Sequence, residues 1–192
     1  MNKRSAENSK QKILQAAGAI FAEFGYAQAS MRSIAEKAGI SVGGLYLYFK
    51  NKEDLYLTFM QDWMGKLNDR TQDALLNVDS PLQAITTYIS IGIEYARTHK
   101  EIITLGTELG FCFGSDFKRK FSRERRDLVA GIIRRGIEQR VFVECDADET
   151  AKVIFNMLRG FVVSMVMDEE SLFTPEECVK LVLHGLLRRN DR

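Results

Sequence analysis

Residues 30–54 read SMRSIAEKAGISVGGLYLYFKNKED, and this stretch decides the fold. Ser30, Ser41 and Asn51 are helix-capping residue types, and each stands immediately before a short helical pattern. Gly39 lies between the first two patterns and can adopt the left-handed conformation that a tight turn requires. Two short helices joined by a glycine-containing turn predict a helix-turn-helix, the motif that lays its second helix in the major groove of DNA.

The flanking sequence extends this motif to an N-terminal three-helix domain. Apolar residues at positions 13, 17, 20, 21 and 24 form one stripe of a first helix, expected over about residues 9–24 and ended by Gly25. A fourth helix is expected from Asn51 to about residue 76, with Asp54 completing a capping-box-like pair. Start signals at residues 79–81 and 174–177, with helical periodicity between them, predict an all-α chain of about nine helices that ends in a helical bundle.

Charge is distributed unevenly along the 192 residues, although the net charge is only +1. Residues 1–53 carry eight basic and four acidic side chains, whereas the remainder is mildly acidic. A basic end on an acidic body is typical of a protein that meets phosphate with that end alone. We therefore expect a helix-turn-helix DNA-binding domain over residues 1–53 and a ligand-binding and dimerisation domain over residues 54–192.

Several classes of protein are disfavoured by what the sequence contains. The two histidines, His99 and His184, are isolated, and no metal-ligand cluster, phosphate-binding loop, dinucleotide fingerprint or G-x-S-x-G motif is present. We expect no enzyme activity, no metal and no cofactor. Three cysteines without a CxxC pair, a polar N-terminus and no apolar stretch long enough to span a bilayer predict a cytoplasmic protein that does not bind membranes.

The predicted third helix has an unusual outward face. Only Leu45 is committed to the core, and two adjacent glycines each cost about 1 kcal/mol relative to alanine in a helix interior. Glycines at this place suit a backbone that approaches DNA closely, while Tyr46 and Tyr48 can offer hydroxyl groups to phosphate. Arg32 is the best-placed cation, and Lys52 opens the fourth helix, whose N-terminus favours an anion. The outward-facing residues of the third helix are Ser41, Val42, Gly43, Gly44, Tyr46, Leu47 and Tyr48. The alternative is a helix-turn-helix that never touches DNA.

Residues 12–55 resemble the N-terminal domain of the TetR family of bacterial transcriptional regulators. The matching residues are Ile13-Leu14, Ala16-Ala17, Phe21, Glu23, Gly25-Tyr26, Ile34-Ala35, Ala38-Gly39-Ile40-Ser41, Gly44-Leu45-Tyr46, Tyr48-Phe49 and Lys52-Glu53. The resemblance implies DNA binding, with contacts from Ser30, Met31 and Arg32, from the outward face of the third helix, and from Lys52 to phosphate. Many members have Thr-Thr or Thr-Val where this chain has Ser30-Met31, but serine still caps a helix. Because residues 42–44 carry few base-specific donors, sequence readout is expected to depend on Arg32, Tyr46 and DNA shape.

A single helix-turn-helix contacts few base pairs, so such proteins dimerise to reach two half-sites of a palindromic operator. The last two long helices carry apolar stripes, and in the family these helices form a four-helix dimer interface. The predicted interface residues are Met157, Gly160, Phe161, Ser164, Met165, Leu181, Gly185 and Leu186. The alternative is that these faces bury against their own core.

The family resemblance also implies a small-molecule effector bound among the helices of the body. The candidate ligand residues are Trp63, Tyr88, Tyr95, Glu108, Phe111 and Phe155, and for each of them core packing is the alternative. Glu108 beside aromatic residues suits a cationic ligand. The basic run at residues 118–126 is expected to be a solvated helix face, with contact to DNA flanks or to an acidic ligand as the alternative.

The predicted function is a dimeric repressor that a small-molecule effector releases from its operator. The alternative is a DNA-bound protein without a small ligand, regulated through a protein partner. Repression as the output comes from the family resemblance alone.

Overall fold

The structure is a computed structural model that describes residues 3–108, 115–167 and 174–187. These residues form nine helices: α1 Lys3–Gln28, α2 Met31–Ala38, α3 Val42–Tyr46, α4 Lys52–Leu75, α5 Pro81–Thr98, α6 Lys100–Glu108, α7 Ser115–Glu138, α8 Ala147–Met167 and α9 Pro175–Leu186. Within these ranges, strand-type pairing is limited to one antiparallel bridge between Phe142 and Leu187. The predicted all-α fold is therefore confirmed.

The predicted capping residues begin the helices of the helix-turn-helix. The Ser30 hydroxyl accepts the Ser33 N–H at 3.0 Å, and the Ser41 hydroxyl accepts the Gly44 N–H at 3.0 Å. The Asn51 side chain accepts the Asp54 N–H at 2.8 Å and so begins α4. Gly39 closes α2 in the left-handed conformation, with φ of 70°. Local hydrogen bonds thus set each boundary, which is why the sequence predicted them.

Helix α1 is longer than expected and is interrupted where the sequence predicted its end. It begins at Lys3, before the expected start near Ser9. Gly25 adopts φ 71° and ψ 167°, a backbone conformation that strains any residue with a Cβ atom. One further turn follows and is closed by the Ala29 N–H donating to the Gly25 carbonyl at 3.2 Å.

The chain divides into two compact units, and the boundary between them falls inside α4. Unit 1 contains the chain up to Met64 together with α6, and unit 2 contains Gly65–Lys100 together with α7, α8 and α9. The proposed division into residues 1–53 and 54–192 stays a prediction. The assignment of α6 to unit 1 could not be read from the sequence, because periodicity shows that a helix has an apolar face but not which helices cover it.

The core of unit 1 is built around aromatic rings from α1 and α4. The Phe21 ring packs against Tyr56 and Phe59, with ring centroids 5.6 and 5.9 Å away. Ile102 and Leu105 of α6 lie in the same buried cluster. A Cβ atom on Gly106 would lie 3.4 Å from the Met60 Cε atom, so α6 approaches α4 closely here. Helix α6 is therefore part of the core of unit 1.

The core of unit 2 is centred on α5, which packs against α7, α8 and α9. Ile85, Ile89 and Ile93 of α5 are fully buried. Val129 and Ile133 of α7 are buried as well. Helix α8 buries Ile154 but exposes the neighbouring Val153. Both residues belong to apolar stripes at helical spacing, so the pattern alone does not choose between them.

Candidate DNA interface and effector site

Helix α3 presents an apolar and aromatic face to solvent. Leu45 is buried in the unit 1 core, whereas Tyr46 and Leu47 are 51% and 86% exposed. Val42 on the preceding turn is exposed as well. A leucine this exposed has no role in packing the unit itself, and apolar side chains in a recognition helix contact thymine methyl groups. Val42, Tyr46 and Leu47 are therefore open to solvent, and their contact with DNA stays a prediction.

The two glycines of α3 are favoured for different structural reasons. A Cβ atom on Gly44 would lie 3.1 Å from the Ser41 hydroxyl oxygen, so the helix cap itself favours glycine there. A Cβ atom on Gly43 would meet nothing within 4 Å. Gly43 is exposed, and it leaves the first turn of α3 open to an approaching DNA backbone.

The start of α2 places its three predicted contact residues differently. Ser30 is exposed, but its hydroxyl already closes a capping box with Ser33. Arg32 is exposed and has no hydrogen-bond or ion-pair partner among the described residues, so its guanidinium is available to phosphate or a base edge. Met31 lies instead in the unit 1 core, because the first turn of α2 directs it inward with Ile34 and Ala35. Only its backbone remains available to DNA.

Lys52 is engaged within the protein. Its ammonium group donates to the carbonyl oxygens of Tyr26, Ala27 and Ala29 at 2.7, 3.3 and 2.9 Å. The same ammonium lies 4.4 Å from the centroid of the Tyr26 ring. The last turn of α1 leaves these carbonyl groups without helical partners, and a cation is the favoured group at a helix C-terminus. All three N–H donors of Lys52 are therefore used to hold α1 against the start of α4. Tyr48, the remaining predicted contact, lies after the end of α3 and is half-buried beside the core.

Burial raises the pKa of the tyrosines around this lysine. The pKa of Tyr56 is raised to about 12, mainly by burial and further by Tyr26. The pKa of Tyr26 is raised by burial and by the nearby Glu53 carboxylate. Both hydroxyl groups stay protonated at neutral pH, so the aromatic cluster adds no negative charge to unit 1.

The candidate ligand residues are distributed over both units. Trp63 packs against the core of unit 1. Tyr88 and Tyr95 of α5 are buried in unit 2, and Phe155 of α8 is half-buried there. Phe111 and the side chain of Glu108 lie outside the described residues. A surface pocket of about 310 Å³, lined by Ile137, Arg140, Phe142, Val143 and Glu144, contains none of the candidates.

Among the basic side chains of the run that the structure describes, Arg119, Lys120 and Arg123 are exposed, Arg126 is half-buried and Arg125 is buried. Lys120 is exposed and pairs with Glu124 at 3.8 Å, as expected for a helix face in solvent. Arg125 is only 5% exposed, and its guanidinium carbon lies 4.7 Å from the centroid of the Tyr88 ring. The sequence contained a signal for this, because position 125 falls four residues after Phe121 and four before Val129, on the apolar stripe of α7. A desolvated cation–aromatic contact stabilises by about 2 kcal/mol, which is less than the several kcal/mol that burying an unpaired charge costs.

The predicted dimer residues fall into two groups. Phe161, Met165 and Leu186 are buried in the core of unit 2, because they lie on the faces of α8 and α9 that pack within the unit. Gly160, Leu181 and Gly185 are exposed, and Leu181 is 66% exposed. Met157 and Ser164 are half-buried between these groups. The residues of α8 and α9 that remain open to solvent are therefore Val153, Gly160, Leu181 and Gly185.

Comparison with known proteins identifies the N-terminal region. Residues 13–58 match the family model for bacterial regulatory proteins of the tetR family. Residues 13–58 therefore belong to the TetR family. The chain is 28% identical over 188 residues to the uncharacterized HTH-type transcriptional regulator YhgD of Bacillus subtilis, covering 93% of this chain and 92% of the relative. It is 27% identical over 164 residues to the fatty acid metabolism regulator protein of Bacillus subtilis, covering 83% and 84%.

A solved TetR-like structure shares the fold over most of both chains. The transcriptional regulator FadR from Bacillus subtilis, in complex with stearoyl-CoA, superposes with a TM-score of 0.77 at 23% identity. The match covers 91% of this chain and 98% of that one. Members of the TetR family are transcriptional regulators. In the part of the chain that the structure describes, no helix is long and apolar enough to cross a membrane. No group of three or more histidine, cysteine, aspartate or glutamate side chains is placed to hold a metal ion in that part.

Proposed function

We propose that this TetR-family regulator is a dimeric repressor that binds a palindromic operator and is released from it by a small-molecule effector. The observation that carries the proposal is the exposed face of α3 beside the unpartnered Arg32, which offers a recognition helix and a cation on one unit. Two such units in a symmetric dimer reach two half-sites about one helical turn apart.

The exposed faces of α8 and α9 support the dimer. Val153 and Leu181 are large apolar side chains in solvent, and Gly160 and Gly185 on the same two helices allow close approach of another backbone. A second copy that covers these faces removes the apolar surface from water. The DNA-binding units of both copies then belong to one assembly.

Helix α6 supports regulation by an effector. It packs into the core of unit 1 through Ile102 and Leu105, and the chain joins it directly to α5 of unit 2. A ligand that shifts α5 or α7 therefore has a covalent route to the core of the DNA-binding unit. Because a ligand changes an equilibrium only through its different affinity for the two states, the effector must bind the released state more tightly.

The first experiment is the selection of genomic fragments by the purified protein, followed by footprinting. We expect enrichment of one two-fold-symmetric site whose half-sites are separated by about 10 base pairs or a multiple of that spacing. Stearoyl-CoA, the ligand of the FadR structure, is the first compound to add. Loss of the footprint on its addition, or on addition of another small molecule, supports release by an effector.

Two outcomes contradict parts of the proposal. Enrichment of an asymmetric site contradicts the dimeric operator, whereas no enrichment over random DNA contradicts sequence-specific binding by this protein alone. The second outcome favours the alternative function, a DNA-bound protein regulated through a protein partner.

The exposed Leu47 predicts thymine recognition within that operator. Replacing one thymine by uracil removes only the 5-methyl group, and losing its contact with Leu47 should cost about 0.8 kcal/mol, about fourfold in Kd. A Leu47→Ala protein should bind the unmodified operator about as weakly as the wild type binds the uracil operator. It should fold with unchanged stability, because Leu47 packs against little of the protein.

A double-mutant cycle over Leu47→Ala and each thymine-to-uracil change measures this contact by equilibrium DNA binding. A Val42→Ala protein serves as the comparison, because it truncates another exposed apolar side chain of the same helix. If the effects of Leu47→Ala and of the uracil substitution on the binding free energy are additive at every thymine position, Leu47 contacts no thymine methyl group.

A further inference from the structure

Unit 2 contains a buried cation. Arg125 of α7 has 95% of its surface removed from solvent, and its guanidinium lies beside the rings of Tyr88 and Phe121, at 4.7 and 5.6 Å from their centroids. Arginine stays protonated throughout the pH range of folded proteins. Charged side chains are almost never fully buried unless they are paired. The site therefore holds a permanent positive charge in apolar surroundings.

No protein carboxylate neutralises this charge within the described part of the chain. Two acidic residues of the unit are paired with other groups: Glu124 accepts a hydrogen bond from Asn68 and pairs with Lys120, and Glu94 pairs with Arg70 at 3.3 Å. The Nη1 atom of Arg125 is buried and has no hydrogen-bond partner. An unpartnered buried N–H is rare in native proteins and marks a place where a missing acceptor belongs.

The surroundings fit an anion with an apolar body. The pKa of Tyr88 is raised because burial outweighs the lowering effect of Arg125 and its hydrogen bond, so the hydroxyl is neutral at physiological pH. Gly92 of α5 has no side chain, and a Cβ atom there would lie 3.9 Å from Nη2, at van der Waals distance, so α5 contributes only backbone on this side of the guanidinium. The planar guanidinium matches the two oxygens of a carboxylate or phosphate, and the aromatic rings suit a hydrocarbon body.

We propose that Arg125 binds the anionic group of the effector, with Tyr88 and Phe121 packing against the atoms that follow it. The ligand is an organic anion whose charged group is a carboxylate or a phosphate. This inference deepens the proposed release by an effector and rests on it. It differs from the cationic ligand that Glu108 suggested, because the buried charge beside these aromatic rings is the positive guanidinium of Arg125.

The test measures the thermal midpoint of the full-length protein with defined probes: octanoate, octyl phosphate, octanoyl-CoA and the uncharged octanol, all at matched ionic strength. We expect at least one anionic probe to raise the wild-type midpoint by about 5 °C at saturation, whereas octanol does not. Octanoate and octyl phosphate separate carboxylate from phosphate as the recognised group. Arg125→Met should abolish the rise without lowering the midpoint of the ligand-free protein.

Matched variants complete the design. Arg123→Met makes the same substitution at an exposed position of α7 and should respond to the probes as the wild type does. Arg125→Lys keeps the charge but loses the planar fork, and it should retain only a small part of the response. Three results overturn the inference: a full response in Arg125→Met, no response to any anion in the wild type, or a ligand-free Arg125→Met protein that is unstable or unfolded, since the cation is then structural.

Operator release distinguishes failure of this inference from failure of the proposed function. If the wild type selects an operator and an anionic probe releases Arg125→Met as readily as the wild type, effector control stands and the role of Arg125 falls. If the wild type selects no operator, the proposed function falls, whereas the midpoint measurements still decide whether Arg125 binds the anion.

Discussion

Replacing Lys52 with methionine is expected to lower the thermal midpoint of the protein by about 5 °C, without changing the salt dependence of operator binding. The ammonium group of Lys52 donates three hydrogen bonds to the last turn of α1. Hydrogen bonds to charged groups are individually worth about 1.5–3 kcal/mol. Water can replace part of this interaction at a half-buried site, so we expect the free energy of unfolding to fall by about 2 kcal/mol in total. The expected midpoint shift follows from this loss.

The salt dependence separates two roles of Lys52. A lysine that contacts phosphate contributes about one unit to the slope of log Kd against log salt concentration, and its removal lowers that slope. Lys50→Met is the matched control, because the exposed Lys50 side chain carries the same charge two residues away. An unchanged midpoint together with a reduced slope for Lys52→Met would show that the family role, a phosphate contact, is the main one.

Replacing Leu105 with alanine is expected to destabilise the DNA-binding unit by about 2–5 kcal/mol, the usual cost of truncating a buried leucine. Leu105 is 3% exposed and lies in the same cluster as Phe59 and Met60. Operator binding should be lost at temperatures where the wild type still binds, although residue 105 is far outside the matched residues 13–58. Differential scanning calorimetry and operator binding over a temperature series measure both effects.

Leu76→Ala is the control for this variant, since it removes the same atoms from an exposed leucine. It should leave the midpoint and operator affinity close to those of the wild type. If Leu105→Ala behaves in the same way, α6 does not contribute to the stability of the unit as the packing indicates, and the proposed route from α5 to the DNA-binding unit loses its support.

The features that sequence reasoning found are those set by neighbouring residues. Ser30, Ser41 and Asn51 cap helices through hydrogen bonds that span three residues, so the residue types alone predict the boundaries. Gly39 and Gly25 adopt positive φ where the sequence predicted a turn and a helix end. Charged and polar residues precede the apolar stripe of α1, and for that reason its early start at Lys3 had no hydrophobic signal.

The features that sequence reasoning missed depend on contacts between distant segments. Lys52 finds its carbonyl partners 23 to 26 residues earlier in the chain, and nothing local distinguishes it from a phosphate-binding lysine. Met31 occupies a position where the family resemblance placed a DNA contact, but its apolar side chain fits the core. Arg125 had a signal in its position on an apolar stripe, which the charge of the surrounding run obscured.

The membership of α6 in unit 1 has a consequence for exchanging parts between regulators. Consider a hybrid that takes the chain up to the middle of α4 from one regulator and the rest from another. Its unit 1 core would then contain α1 to α4 of the first protein but α6 of the second. Ile102 and Leu105 would then meet side chains with which they were never selected to pack. Hybrids of altered operator preference should therefore carry the native α6 of the donor as an inserted segment within the recipient's body.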